Sequence, residues 1–333
     1  RTTINVKMKE KSDELDEVVV IGYGTMDKKE LTSAISHVSS KEFTRVASVD
    51  PSMMIQGKVP GVSITNTGAG DPNNQASIQI RGVSSRAAGT GPLIVIDGVP
   101  GGNLTNINPN DIESFDILKD GAASAIYGTR GSNGVVLVTT KKGSRDGELH
   151  TTYNVSLSLD VIKKELDMLS ADEYRANRIA SGTGYDLGGS TDWLDEVSRV
   201  GVRMQHTLTL SGGNARSNYR ASVDYRNAQG IDKYSNRREY GGRASINHTT
   251  KSGLFTFSLN IAPRIAYRKN ASWDVFRNAI EANPTTPIMD PQNPSQYYNF
   301  KGQEAGYNPV ELEKLDKNTG TTKLLDWDGT VRL

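Results

Sequence analysis

The stretch "LFTFSLNIAPRIAYR", residues 254–268, alternates without a break. Phe255, Phe257, Leu259, Ile261, Pro263, Ile265 and Tyr267 fall on one face. Thr256, Ser258, Asn260, Ala262, Arg264, Ala266 and Arg268 fall on the other. A period of two is the strand period, so one face must meet an apolar medium and the other a polar one. At this length the strand runs about 40 Å. Tilted by about 40°, it rises roughly 30 Å, the thickness of a bilayer's hydrocarbon core. Pro263 counts against strand character, because it has no N–H to give to a ladder.

The same period recurs through the second half of the chain. Tyr153, Val155, Leu157, Leu159 and Val161 share one face. Met204, Leu208 and Leu210 stand against Gln205, Thr207 and Thr209. Tyr219, Ala221, Val223 and Tyr225 stand against Arg220, Ser222, Asp224 and Arg226. A weaker strand spans 240–248, softened by Gly241 and Gly242, and a last one begins near Leu325. The connections run long, short, longer, short, long. Long outer loops with tight inner turns are the pattern of an outer-membrane β-barrel. A soluble antiparallel sandwich also alternates, but loop asymmetry and strand length favour the barrel. Six strands cannot enclose a whole domain, whereas barrels of about 22 strands do. The chain is therefore expected to be the N-terminal part of a longer protein.

Residues 25–145 follow a different grammar. Short apolar runs at 61–65, 77–82, 92–98, 114–118 and 134–142 read as strands of a small mixed sheet. Asp120 is placed to cap a short helix over 122–127, with Gly128 as its stop. Asp97-Gly98 signals a tight turn. The fold class is thus an α+β domain, a small mixed sheet with short helices, followed by the first strands of an antiparallel transmembrane β-barrel.

Composition excludes several functions. Among 333 residues, 39 basic and 38 acidic side chains leave a net charge of +1. There is no field to attract nucleic acid. The absence of cysteine rules out disulfides, thiolate zinc sites and a cysteine nucleophile. No apolar run approaches the roughly 20 residues of a spanning helix. His37, His150, His206 and His248 lack metal-ligand spacing. "GYGTMD" lacks the third glycine of a dinucleotide fingerprint, and "GTRGSNG" lacks the Lys-Ser of a phosphate loop. No nucleophile elbow is present. Neither an enzyme nor a cofactor or metal is expected.

Several motifs carry a resemblance. "DEVVVIGYGT" resembles the TonB box of the SusC/RagA family of TonB-dependent outer-membrane transporters. "PLIVIDGVP" and "DIESFDILKDGAASAIYGTRGSNGVVLVTTKKG" look like that family's plug signatures. "ADEYR", "TDWLDEV", "SGGNARSNYRASVDYRNAQGI" and "NPTTPI" are similar to its first barrel segments. The resemblance implies four parts. Residues 1–12 would end a small Ig-like, carboxypeptidase-regulatory-like domain. Residues 13–24 would hold the TonB box, 25–145 the plug, and 146–333 the N-terminal part of the barrel.

The family implies an outer-membrane location, with the plug and N-terminus on the periplasmic side. It also implies active import. TonB, driven by ExbB and ExbD, would grip Asp16, Glu17, Val18, Val19, Val20 and Ile21. β-Branched residues favour the extended state, and strand addition supplies backbone hydrogen bonds. The alternative is a strand buried in the preceding domain. A SusD-like surface lipoprotein would capture a glycan or oligosaccharide. A peptide, siderophore or cobalamin cargo is the alternative, as is a sensor or adhesin on the same fold. Arg81 and Arg130 resemble plug arginines that pair with barrel carboxylates, expected beyond residue 333; the alternative for each is a solvated surface arginine. Loops 68–74 and 84–91 are candidates to face substrate. The expected surroundings are outer-membrane lipid.

Overall fold

The computed structural model describes residues 18–21, 24–27, 35–43, 50–68, 70–82, 91–119, 125–163, 166–270, 272, 274–300, 306–315 and 318–333. The expected Ig-like remnant over 1–12, Asp16, Glu17 and all but the last residue of loop 84–91 lie outside them. So do Asp120 and the first residues of the helix expected at 122–127.

The chain opens on β1 (Val18–Ile21), paired antiparallel with β2 (Gly24–Asp27). The plug then contributes β3 (Ile35–Ser39), β4 (Val62–Thr65), β5 (Ser77–Ile80), β6 (Leu93–Ile96), β7 (Val99–Pro100), β8 (Ile112–Leu118) and β9 (Val135–Thr140). Five of these form one sheet, in the order β3-β8-β9-β6-β7. β6 and β9 run parallel, and the other neighbours are antiparallel. β4 and β5 form a separate hairpin. Strands covered on both faces read as unbroken apolar runs, and "VVLV" in β9 is buried throughout. Phe115, Ile117, Val136 and Val138 pack on one side with Ile55, Ile64 and Ile80. Val95, Leu118, Val135 and Leu137 pack on the other.

The β6–β7 turn is as the sequence predicts. Asp97 (φ 49°) and Gly98 (φ 91°) both take the left-handed backbone that a two-residue hairpin turn of this hand requires. The expected helix near 122–127 differs in its described part. Ala125–Gly131 is a 3₁₀ segment broken at Gly128, where φ is 63° and ψ is −151°.

The second half is one antiparallel sheet, here called the wall. Its strands are β10 (His150–Asp160), β11 (Gly201–Gly213), β12 (Ser217–Gln229), β13 (Asn236–Thr249), β14 (Thr256–Lys269) and β15 (Thr319–Arg332), hydrogen-bonded in chain order. β10 and β15 are its edges, so the sheet does not close on itself. The alternating faces separate cleanly. Tyr153, Leu157, Val223, Tyr240, Ile246, Phe257, Tyr267 and Trp327 are exposed on the outer face. Thr207, Asp224, Arg226, Glu239 and Arg264 are buried on the inner one, toward the plug.

Three details differ from the sequence reading. β14 runs straight through Pro263, which sits opposite Leu325 of β15. On the β13 side, pairing stops at Gly241 opposite Arg264 and resumes at Ala244 opposite Ile261. The missing N–H is absorbed by that gap. β15 begins at Thr319 rather than near Leu325. The connection between β12 and β13 is only residues 230–235, as short as the 250–255 turn, because both strands reach further than their apolar positions suggest.

The two long connections lie at the wall's far end from the 141–149 linker. They hold α1 (Ala171–Tyr174), α2 (Trp193–Val197), α3 (Asp274–Glu281) and α4 (Pro309–Leu315). Ser170 and Glu173 close a capping box on α1, which satisfies two otherwise orphan N–H groups. Trp193, Val197, Val275, Ala279, Phe300 and Val310 make a third apolar core between these loops.

Candidate functional site

In the structure the plug's buried apolar residues go into its own two cores. No wall-strand residue belongs to either. Hydrogen bonds and ion pairs therefore carry much of the contact between plug and wall.

The segment 108–111 makes the densest contact. Asn108 holds a short 3₁₀ turn by accepting from the Asn110 backbone N–H. Its amide donates to Thr207 Oγ1 on β11 at 2.9 Å and accepts from Gln205 Nε2 at 2.8 Å. Asn110 Nδ2 donates to the same Thr207 oxygen at 3.2 Å. Asp111 accepts from Arg220 at 3.0 Å and from Ser222 Oγ at 2.8 Å, both on β12. Lys141 donates to the Asn110 carbonyl at 3.0 Å. Burial, aided by the nearby Arg220 cation, holds the Lys141 ammonium below the usual lysine range.

A second contact forms at the β6–β7 turn. The Asp97 carboxylate accepts from the Thr140 backbone N–H and hydroxyl, both at 2.8 Å, and from Arg243 of β13 at 3.2 Å. One acid thus ties the turn to β9 and to the wall.

Behind these contacts lies a buried ionic cluster on the wall's inner face. Arg264 meets Asp224 through two bonds, at 3.0 and 3.1 Å, and donates to the Asn106 carbonyl of the plug at 2.9 Å. Glu239 is shared by Arg226 at 2.9 Å, Arg237 and Arg264. Charges taken out of water persist only when paired and hydrogen-bonded. Gly241 makes room for this arrangement: a Cβ there would lie 2.5 Å from an Arg264 nitrogen and 2.6 Å from Asp224.

Loop 68–74 docks at the long-loop end. The Gly70 carbonyl accepts from the Ile231 N–H at 3.0 Å, and Asn73 donates to the Lys269 carbonyl at 2.7 Å. Burial raises the Asp71 carboxyl there.

The residues expected to act stand as follows. Val18, Val19, Val20 and Ile21 form β1, which pairs with β2 in a sheet of two strands among the described residues. Arg81, with φ 56°, follows β5 and is exposed, as is Arg130. The ion pairs described between plug and wall have the opposite polarity, plug carboxylate to wall arginine. Among the described residues, no group of three His, Asp or Glu is arranged to hold a metal. His37 instead bonds Asp116 at 2.6 Å, His206 bonds Tyr153, and His248 bonds Ser217. Asp97, Asn108, Asp111 and their wall partners escape sequence reasoning. The one available signal was charge on the polar face of strands rich in Ser, Thr and Asn.

A domain of this kind docked against a tall, lipid-compatible antiparallel wall defines a TonB-dependent receptor. The family model described as the TonB-dependent Receptor Plug Domain matches residues 27–135. TonB-dependent receptor SusC of Bacteroides thetaiotaomicron is 37% identical over 310 residues, covering 88% of this chain and 31% of that protein. TonB-dependent receptor P26 of Formosa agariphila is 35% identical over 328 residues, covering 93% of this chain and 31% of that one. The RagAB peptide importer in its open-open state has a similar fold, with a TM-score of 0.80 at 24% identity, over 95% of this chain and 40% of that chain. This chain belongs to the SusC/RagA family of TonB-dependent receptors. It spans about three tenths of the length of the curated relatives it matches.

Proposed function

We propose that the chain is the gate and first wall segment of a TonB-dependent importer of the outer membrane. One observation carries the reading: the plug has complete apolar cores of its own and meets the wall through exchangeable polar bonds. Such a unit can be displaced without exposing an apolar core, because water can replace the broken hydrogen bonds.

In this reading Asp16 to Ile21 form the strand that TonB grips, with ExbB and ExbD supplying the drive. Its β-branched run favours the extended state that strand addition requires. Arg81 and Arg130 lock the plug to carboxylates on the remainder of the barrel. A SusD-like lipoprotein captures the cargo. The family resemblance favours a glycan. A peptide is the second reading, supported by the fold shared with the RagAB peptide importer.

Deleting residues 16–21 from the full-length protein tests the reading. Import should be abolished while membrane insertion is retained. Normal import by that variant would sink it. Ligand identified on the purified full-length transporter decides between glycan and peptide.

A further inference from the structure

The outer face of the wall carries a charge pattern that gating does not use. Strand register places the even positions of β11 and β13 and the odd positions of β10, β12, β14 and β15 on this face. No Asp or Glu occupies any of them. Three permanent cations do: Arg238 on β13, Lys269 on β14 and Lys323 on β15, all exposed. They lie together toward the long-loop end. Arg238 stands opposite Tyr267, and Lys269 is two residues beyond Tyr267 on the same face. Lys323 stands opposite Ile265, two residues before it. Lys269 Nζ sits 5.7 Å from the centre of the Tyr234 ring. A groove between the strand ends and the 230–235 turn brings Arg238, Lys269, Tyr234 and Tyr267 together. The nearby cations Arg199 and Lys233 are already committed, to the carbonyls of Gly230 and Ser235 and of Asp195. Arg238, Lys269 and Lys323 have no ionic partner among the described residues.

Beside Lys323 the face is already apolar, with Tyr240 and Ile265 exposed in its row, and it stays apolar beyond, with Leu325 and Trp327 exposed. A cationic, tyrosine-flanked site directly above an apolar band fits an amphiphile with an anionic head and acyl tails. Arg presents a planar fork that binds phosphate oxygens bidentately, and the lysines add point charge. We propose that Arg238, Lys269 and Lys323 bind the phosphate of a phosphorylated glycolipid in the outer leaflet. The site would anchor the receptor's rim and fix its height in the membrane. This rests on the outer-membrane reading, which fractionation of the full-length protein tests separately.

The experiment is native mass spectrometry of the full-length receptor in detergent, titrated with diphosphoryl lipid A, enzymatically dephosphorylated lipid A and phosphatidylglycerol. Wild type should retain diphosphoryl lipid A preferentially over both others. Each cation near an anionic lipid surface is worth about 1 kcal/mol, so Arg238→Gln and Lys269→Gln should each lower that binding about five-fold. Both side chains are exposed, and heat-modifiable gel mobility checks that the variants fold. Comparison of the three lipids on wild type needs no variant. Equal binding of dephosphorylated lipid A or of phosphatidylglycerol overturns the proposal. So does unchanged binding by the folded variants. A change in oligomeric state with unchanged lipid binding would instead make the patch a protein contact, and would also overturn it.

Discussion

Asp111 of the plug and Arg220 of the wall lie 3.0 Å apart in a setting where the acid is almost wholly buried. Ser222 fills a further acceptor site of the same carboxylate. The pair joins β8's leading turn to β12, so it links the plug's central sheet directly to the barrel. Removing one partner of a buried pair costs about 3–5 kcal/mol, because the other charge is left stranded. In the full-length protein, Asp111→Asn should speed hydrogen exchange across β8 markedly. Adding Arg220→Gln should cost less than the two single changes summed. Strict additivity would mean that the pair contributes no coupling between plug and wall.

Gly241 and Gly242 are adjacent but unequal. A Cβ on Gly241 would press on Arg264 and Asp224, whereas one on Gly242 meets only Ser222 at 3.5 Å and Pro263 at 3.8 Å. Overpacking of this kind costs about 1–3 kcal/mol. Gly241→Ala should lower the temperature of heat-induced mobility change in gels, and Gly242→Ala should leave it nearly unchanged. Equal effects would show that the ionic cluster does not require the space.

The long-loop unit should respond to pH through Glu313. Burial pushes this carboxyl up to about 7 from an ordinary 4.5, and the neighbouring Asp232 adds to the rise. Between those two values the folded unit holds a proton that the unfolded one has lost. Stability is therefore fully present below about 4.5 and falls as pH rises through 7. Hydrogen exchange of Pro309–Leu315 should quicken over that window beyond the intrinsic base-catalysed rise. Glu313→Gln should remove the excess. An excess that survives the substitution would assign it elsewhere.

The wall was legible where its outward residues are apolar. Leu259, Ile261 and Ile265 announce β14, and Pro263 is tolerated because the break falls on one side of the ladder only. The start of β15 was hidden because Thr319, Thr321 and Lys323 face outward near the rim, where a strand need not be apolar. The plug–wall contacts were illegible for another reason. Asn108 and Thr207 are far apart in sequence, and Arg226 or Glu239 looks like any solvent-facing residue on an alternating strand. Burial of that face comes from the plug docked behind it, which one-dimensional periodicity does not encode. The short apolar run at Val18 to Ile21 was visible at once, yet its pairing with Gly24–Asp27 was not.

Release of the plug from the wall during import is the central claim. Asn108 and Thr207, bonded at 2.9 Å, offer the most direct test. This chain has no cysteine of its own, so Asn108→Cys and Thr207→Cys can be joined by a short bifunctional thiol reagent in the full-length receptor, any cysteines beyond this chain being first replaced. Import of the cognate substrate should stop in the cross-linked protein and continue in either single variant treated alike. Undiminished import with the cross-link complete would contradict the account.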